Sequence, residues 1–126
     1  GKAWQVVRIA FGLVYFVYGL NGFLRFMPVP PQSPDAQRFL NAMFETGYMV
    51  YLWKTFEVGA GFLLLINRFV ALALALIAPV TVNILFFHLM LDRTMNPIGL
   101  ILAGCQLYLM FGVRDRYRPL LSARAN

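Results

Sequence analysis

The stretch Tyr48 to Ile66, YMVYLWKTFEVGAGFLLLI, decides the fold, because it is apolar almost throughout yet carries Lys54 and Glu57 in its first half. About 20 apolar residues are needed for a helix to cross the hydrocarbon of a bilayer, and this run is close to that length. An ionised side chain near the bilayer centre costs about 2.5 to 3.5 kcal/mol on insertion scales, so such residues face protein or water. The run is continuous instead of alternating, which argues for a helix and against a barrel strand. What Lys54 and Glu57 do there depends on the helices around them.

Composition supports the same reading. Of 126 residues, 60% are hydrophobic and 13% charged, against roughly 25% charged in soluble domains, and the mean hydropathy is +0.68. This is an integral membrane composition, with length for one domain over residues 1–126. The net charge of +6 does not point to nucleic acid. The basic residues stand at the ends of apolar runs instead of gathering on a soluble face. Cys105 is the single cysteine and His88 the single histidine. That excludes an internal disulfide, a thiol pair, a bis-histidine haem and a His/Cys zinc set within the chain. No dinucleotide fingerprint is present either, so a self-contained oxidoreductase is disfavoured and no cofactor is expected in the chain itself.

Four segments fit as spans: about residues 3–26, 48–66, 69–91 and 97–113. The first extends to about Phe23 without a small-residue cleavage pattern, so it reads as a membrane helix and not as a signal peptide. The spacing thus predicts an all-α, integral membrane four-helix bundle. Between the first two spans lie four prolines, the first three forcing an extended start before Ser33, which can cap; the fourth, Pro34, fits a first helical position, and Asp35 favours the positive helix end. Ala36, Phe39, Leu40, Met43 and Phe44 then recur at helical spacing and Gly47 offers a stop. A short amphipathic helix at the mouth of the bundle is expected.

Orientation follows from the basic residues. Lys2, Arg8, Arg68, Arg114, Arg116, Arg118 and Arg124 fall on one side; Arg25, Arg38 and Arg93, with Asp35, Glu45 and Asp92, fall on the other. Both termini are therefore expected in the cytoplasm of a multi-pass protein of the bacterial inner membrane.

At about 1.5 Å per residue, Glu57, Asn83 and Gln106 come to one layer, about 12 to 14 Å below the outer ends of their helices. Lys54, His88 and Asn21 form a shallower layer. These six are the candidate ligand-binding residues, with no catalytic or metal site. Lys54, Glu57 and Gly61 share a helix face, as do Thr81 and His88, while Asn83 points elsewhere unless Pro79 turns the helix. Gly12 and Gly19 permit close backbone approach, and Tyr15, Phe16, Tyr18 and Phe23 form packing or an aromatic slot. The polar layers fit either the floor of a pocket or hydrogen-bonding glue between helices.

The stretches GLVYFVYGLNGFLRFMPVPP (12–31), TGYMVYLWKTFEVGAGFLLLINRFV (46–70) and APVTVNILFFHLMLD (78–92) resemble the DoxX-like family of small four-helix membrane proteins. The likeness covers nearly the whole chain in order. The family's Gly-x-x-polar element ending the first helix is matched by Gly19 and Gly22 around Asn21. Its glutamate before a glycine-rich stretch is matched by Glu57, Gly59 and Gly61, and its outer Asn and His by Asn83 and His88. Many members carry lysine in the first element, where this chain has Asn21 and places its lysine at Lys54. The resemblance implies association with membrane redox complexes, as in subunits resembling thiosulfate:quinone oxidoreductase components, or a chaperone-like role toward other membrane proteins. The expected function is a non-catalytic accessory component with a polar-floored pocket for a quinone-like or lipid ligand. If catalytic, it would act within a quinone-linked oxidoreductase complex. The alternative is a structural or assembly subunit whose polar residues are only glue. The expected partners are the bilayer and a larger membrane complex or a second copy of the chain, without nucleic acid.

Overall fold

The computed structural model describes residues 1–28, 32–92 and 96–124. Among these the chain is all-α, without strands. Helix α1 spans Lys2–Leu24, α2 Pro34–Glu45, α3 Met49–Leu65, α4 Val70–Phe86 and α5 Ile98–Gly112. α4 runs on through a π-helical turn at Phe87–Leu91, and two short 3-10 turns, Arg114–Arg116 and Arg118–Leu121, follow α5. Among the described residues two helices are long and apolar enough to cross a membrane: Lys2–Leu24 and the continuous Val70–Leu91. α3 has 17 residues and α5 has 15, both under the usual requirement of about 20.

Local chemistry sets the boundaries. α1 closes where Arg25 turns left-handed (φ 52°) and its N–H returns to the Asn21 carbonyl, a helix-ending geometry more often taken by glycine. α2 opens with Pro34, whose missing N–H costs nothing in the first turn, and with Asp35 at the positive end of the dipole. Ser33 occupies the cap position but makes no side-chain cap bond. Its Oγ donates instead to the Leu91 carbonyl at 2.7 Å, tying α2 to the end of the π-helical turn. Gly47, at φ 81°, allows the turn into α3. Between α3 and α4 the chain reverses through Asn67 and Phe69, both left-handed. Pro79 lies inside α4 without ending it.

The helices pack antiparallel in sequence order. α1 and α3 approach most closely, because glycines remove the side chains that would separate them. A Cβ on Gly61 would lie 2.6 Å from the Phe16 nitrogen and 2.8 Å from the Gly12 carbonyl; one on Gly19 would meet Val58 at 2.8 Å. α5 returns beside α1, with Trp4 Nε1 donating to the Leu109 carbonyl at 3.2 Å, and lies against α4, where Gly99 abuts Leu85. One core joins all four: Phe11 and Tyr15 from α1, Ala60 and Leu64 from α3, Leu74 and Ile77 from α4, Leu102 and Leu109 from α5. α2 covers one end, burying Ala36 and Met43 and bringing the Phe39 ring beside that of Phe87, with centres 5.9 Å apart and planes tilted by 50°.

This topology brings Lys2, Arg8, Arg68, Arg114, Arg116, Arg118 and Arg124 to one end and Arg25, Arg38, Asp35, Glu45 and Asp92 to the other. Arg93, and Pro30 and Pro31 of the expected extended loop, lie outside the described residues.

Candidate functional site

Polar side chains enter the apolar bundle at three heights. The first group is the pair on α3, with Lys54 Nζ 3.0 Å from a Glu57 carboxylate oxygen. Glu57 is only 5% exposed. α1 makes the room: Gly19 leaves space against the Glu57 Cβ, and a side chain on Gly22 would collide with the Lys54 stem. The lysine lies along the groove that these glycines open, its amine reaching the carboxylate one turn deeper. Two charges three residues apart on one helix face neutralise each other where neither is well hydrated.

The second group crosses three helices. Tyr15 Oη of α1 is 2.5 Å from Thr81 Oγ1 of α4, and Thr81 Oγ1 donates to Gln106 Oε1 of α5 at 2.9 Å. Since the threonine proton is committed to Gln106, the tyrosine donates to Thr81. Gln106 Nε2 completes the chain by donating to the Leu74 carbonyl of α4 at 2.8 Å and lies 3.2 Å from the Met110 sulfur. Tyr15 and Thr81 are 1% exposed and Gln106 5%, so each donor in this relay has a partner and the amide orientation is fixed by its neighbours. A buried polar chain satisfied in this way rigidifies the packing around it.

The third group lies at the end covered by α2. His88 Nδ1 is 3.1 Å from an Asp92 carboxylate oxygen, with the aspartate side chain 2% exposed. The π-helical turn produces this contact, the Asp92 N–H reaching back to the Phe87 carbonyl at 2.8 Å. A groove of about 610 Å³ opens beside the pair, lined by His88, Asp92, Asn96, Pro97 and Leu100 among others. A second, apolar groove of about 400 Å³ runs outside α3 and α4 along Leu52, Phe56, Gly59, Leu63 and Leu76. Neither groove is lined by Glu57, Asn83 or Gln106.

The six residues expected to share a site are thus distributed. Lys54 and Glu57 meet each other; Gln106 joins Tyr15 and Thr81; His88 joins Asp92. Asn21 closes α1, its Oδ1 accepting the Met27 N–H at 2.7 Å. Asn83 is half-buried. Four residues outside that set prove equally engaged: Tyr15, Thr81, Asp92 and Arg8. Arg8, although charged, is 7% exposed. Its Nη1 donates to the Leu64 carbonyl and its Nε to Gln5 Oε1 at 2.9 Å, placing a cation on the negative end of α3. The Tyr15 signal was present in its spacing, three residues after Gly12 and four before Gly19, on the face that meets α3. Among the described residues no group of three His, Cys, Asp or Glu side chains could hold a metal ion.

Apolar helices joined through buried hydrogen bonds, two of them long and apolar enough to cross a membrane, define a small all-α protein. The DoxX family pattern matches residues 3–89, more than half of the chain. The chain belongs to the DoxX family. No curated protein and no solved structure was found to match it.

Proposed function

We propose that this DoxX protein is a four-span, non-catalytic accessory component that holds or assembles a larger membrane system, its intramembrane polar groups serving as helix-to-helix glue. The observation that carries the reading is mutual satisfaction. Lys54 is paired with Glu57, and Tyr15, Thr81 and Gln106 bond to one another and to the Leu74 carbonyl. In lipid, helices gain little from burying apolar surface against each other, so association rests on close packing and interhelical hydrogen bonds. The glycine contacts of α1 and α3 and the polar chain across α1, α4 and α5 are of these two kinds.

Four crossings are supported by the apolar exteriors of the two shorter helices. Phe62 of α3 is 49% exposed and Leu107 of α5 is 70% exposed; in water such surfaces would be aggregation-prone. The flanking residues lengthen the short helices, which stand with little tilt, and local thinning of the bilayer takes up the remaining mismatch. The basic end favours both termini in the cytoplasm of a bacterial inner membrane.

A tagged full-length chain extracted in mild detergent should recover a stoichiometric membrane partner; repeated recovery of the chain alone, or of a second copy only, contradicts the assembly role. A second reading is favoured by the groove at His88, Asp92 and Asn96, whose polar floor and apolar rim suit a lipid or quinone-like head group. In that case mass spectrometry of copurified small molecules should find a species that His88→Leu loses and Glu57→Gln retains.

A further inference from the structure

The residues after α5 form a charged surface that the bundle itself does not use. Segment 113–124 carries Arg114, Arg116, Arg118 and Arg124 against the single carboxylate of Asp115. It is held in place by one inward side chain: the Tyr117 hydroxyl donates to the Ala71 carbonyl of α4 at 2.7 Å. Burial pushes the Tyr117 hydroxyl up from its ordinary range. Around this pin the polar and apolar groups project outward. Arg114 lies over the exposed Phe111 ring, 4.2 Å from its centre, and donates to the Phe111 carbonyl at 2.8 Å. Arg118 shares Asp115 at 3.3 Å, with both side chains more than two-thirds exposed. Leu120 and Leu121 are 74% and 82% exposed immediately beside these cations.

Adjacent exposed leucines are unfavourable in water and favourable at the boundary of headgroups and acyl chains, while arginines at that depth meet phosphate. We propose that segment 113–124 is an interfacial anchor that binds anionic phospholipid headgroups through Arg114, Arg116 and Arg118 and seats Leu120 and Leu121 among the acyl chains. An acidic protein segment would satisfy the arginines but not the leucine pair projecting beside them. The anchor rests on the membrane reading of the bundle, and it makes the basic end a selector of lipid and not only a determinant of orientation.

Trp4 reports on this end, because it bonds to Leu109 and abuts Gly112; Trp53→Phe leaves it as the sole indole. The full chain carrying that change would be reconstituted in vesicles containing brominated phosphatidylcholine, brominated phosphatidylglycerol, or both. Preferential quenching by the anionic lipid is expected, about five-fold for each engaged arginine. It should weaken with added salt and fall many-fold in Arg114→Gln/Arg116→Gln/Arg118→Gln, the remaining basic residues of this end retaining part of it. Parity in the parent protein, or an unchanged preference in the triple variant, overturns the anchor. Quenching by neither lipid would overturn the membrane reading itself.

Discussion

Removing the carboxylate of Glu57 leaves the Lys54 amine in the α1–α3 groove without its counter-ion. Both residues lie on α3, so the cost is that of leaving a partly buried charge without its partner, and Glu57→Gln should lower unfolding free energy in detergent titrations by about 1 to 2 kcal/mol. Adding Lys54→Met should recover part of that loss, since the unpaired charge is then gone; a fully additive double variant would mean the two residues do not act as a pair. Gln106→Leu deletes the acceptor of Thr81 and the donor to Leu74, and a loss of similar size, about 1 kcal/mol, is expected. Had Gln106 merely lined a ligand cavity, its stability would be indifferent to the change. The sequence ranks residues by height along each helix, which brought Glu57 and Gln106 forward. It does not give rotation about the helix axis, and so of the residues that complete the chain to Gln106, Tyr15 was read as packing or part of an aromatic slot and Thr81 only as sharing a face with His88. Arg8 was read as a topology signal for another reason. Its long side chain carries the charge from a residue near the helix start to the carbonyls of α3, a reach that residue position alone does not reveal.

At the scale of elements, the apolar run lengths fall within two residues of the ends of α1, α3 and α5 and the Pro34–Asp35 start matches that of α2, whereas the third run, expected to reach residue 91, has α4 ending at Phe86 and a π-helical turn carrying it on. The π-helical turn at Phe87–Leu91 was not legible, because no residue type demands it, and with it the His88–Asp92 contact was hidden. The glycine-rich element of α3 separates by geometry into residues that matter and residues that do not. A Cβ on Gly61 would strike the α1 backbone, whereas Gly59 has nothing within 4 Å. Gly61→Ala should therefore force α1 and α3 apart and lower the thermal unfolding midpoint markedly, while Gly59→Ala should leave it unchanged or slightly raised through helix propensity. Equal effects from the two would refute the close approach as the basis of this pairing.

For the whole molecule, the antiparallel order of α1, α3, α4 and α5 gathers seven basic residues at one end, among them Arg68, Arg114 and Arg116. The same order puts α2 at the opposite end. If all four helices cross the bilayer, those ends face different compartments, and the polar groups between them are the internal fastenings of the bundle. Cys105 is the only cysteine, so a Cys105→Ala background accepts single reporters. Labelling intact cells with a membrane-impermeant maleimide, before and after permeabilisation, tests the claim most directly. Gln37→Cys on α2 should react in intact cells, and Asn67→Cys and Ser122→Cys should react only once the membrane is opened. Reaction of all three from the same side would contradict a four-span bundle with its basic end in the cytoplasm.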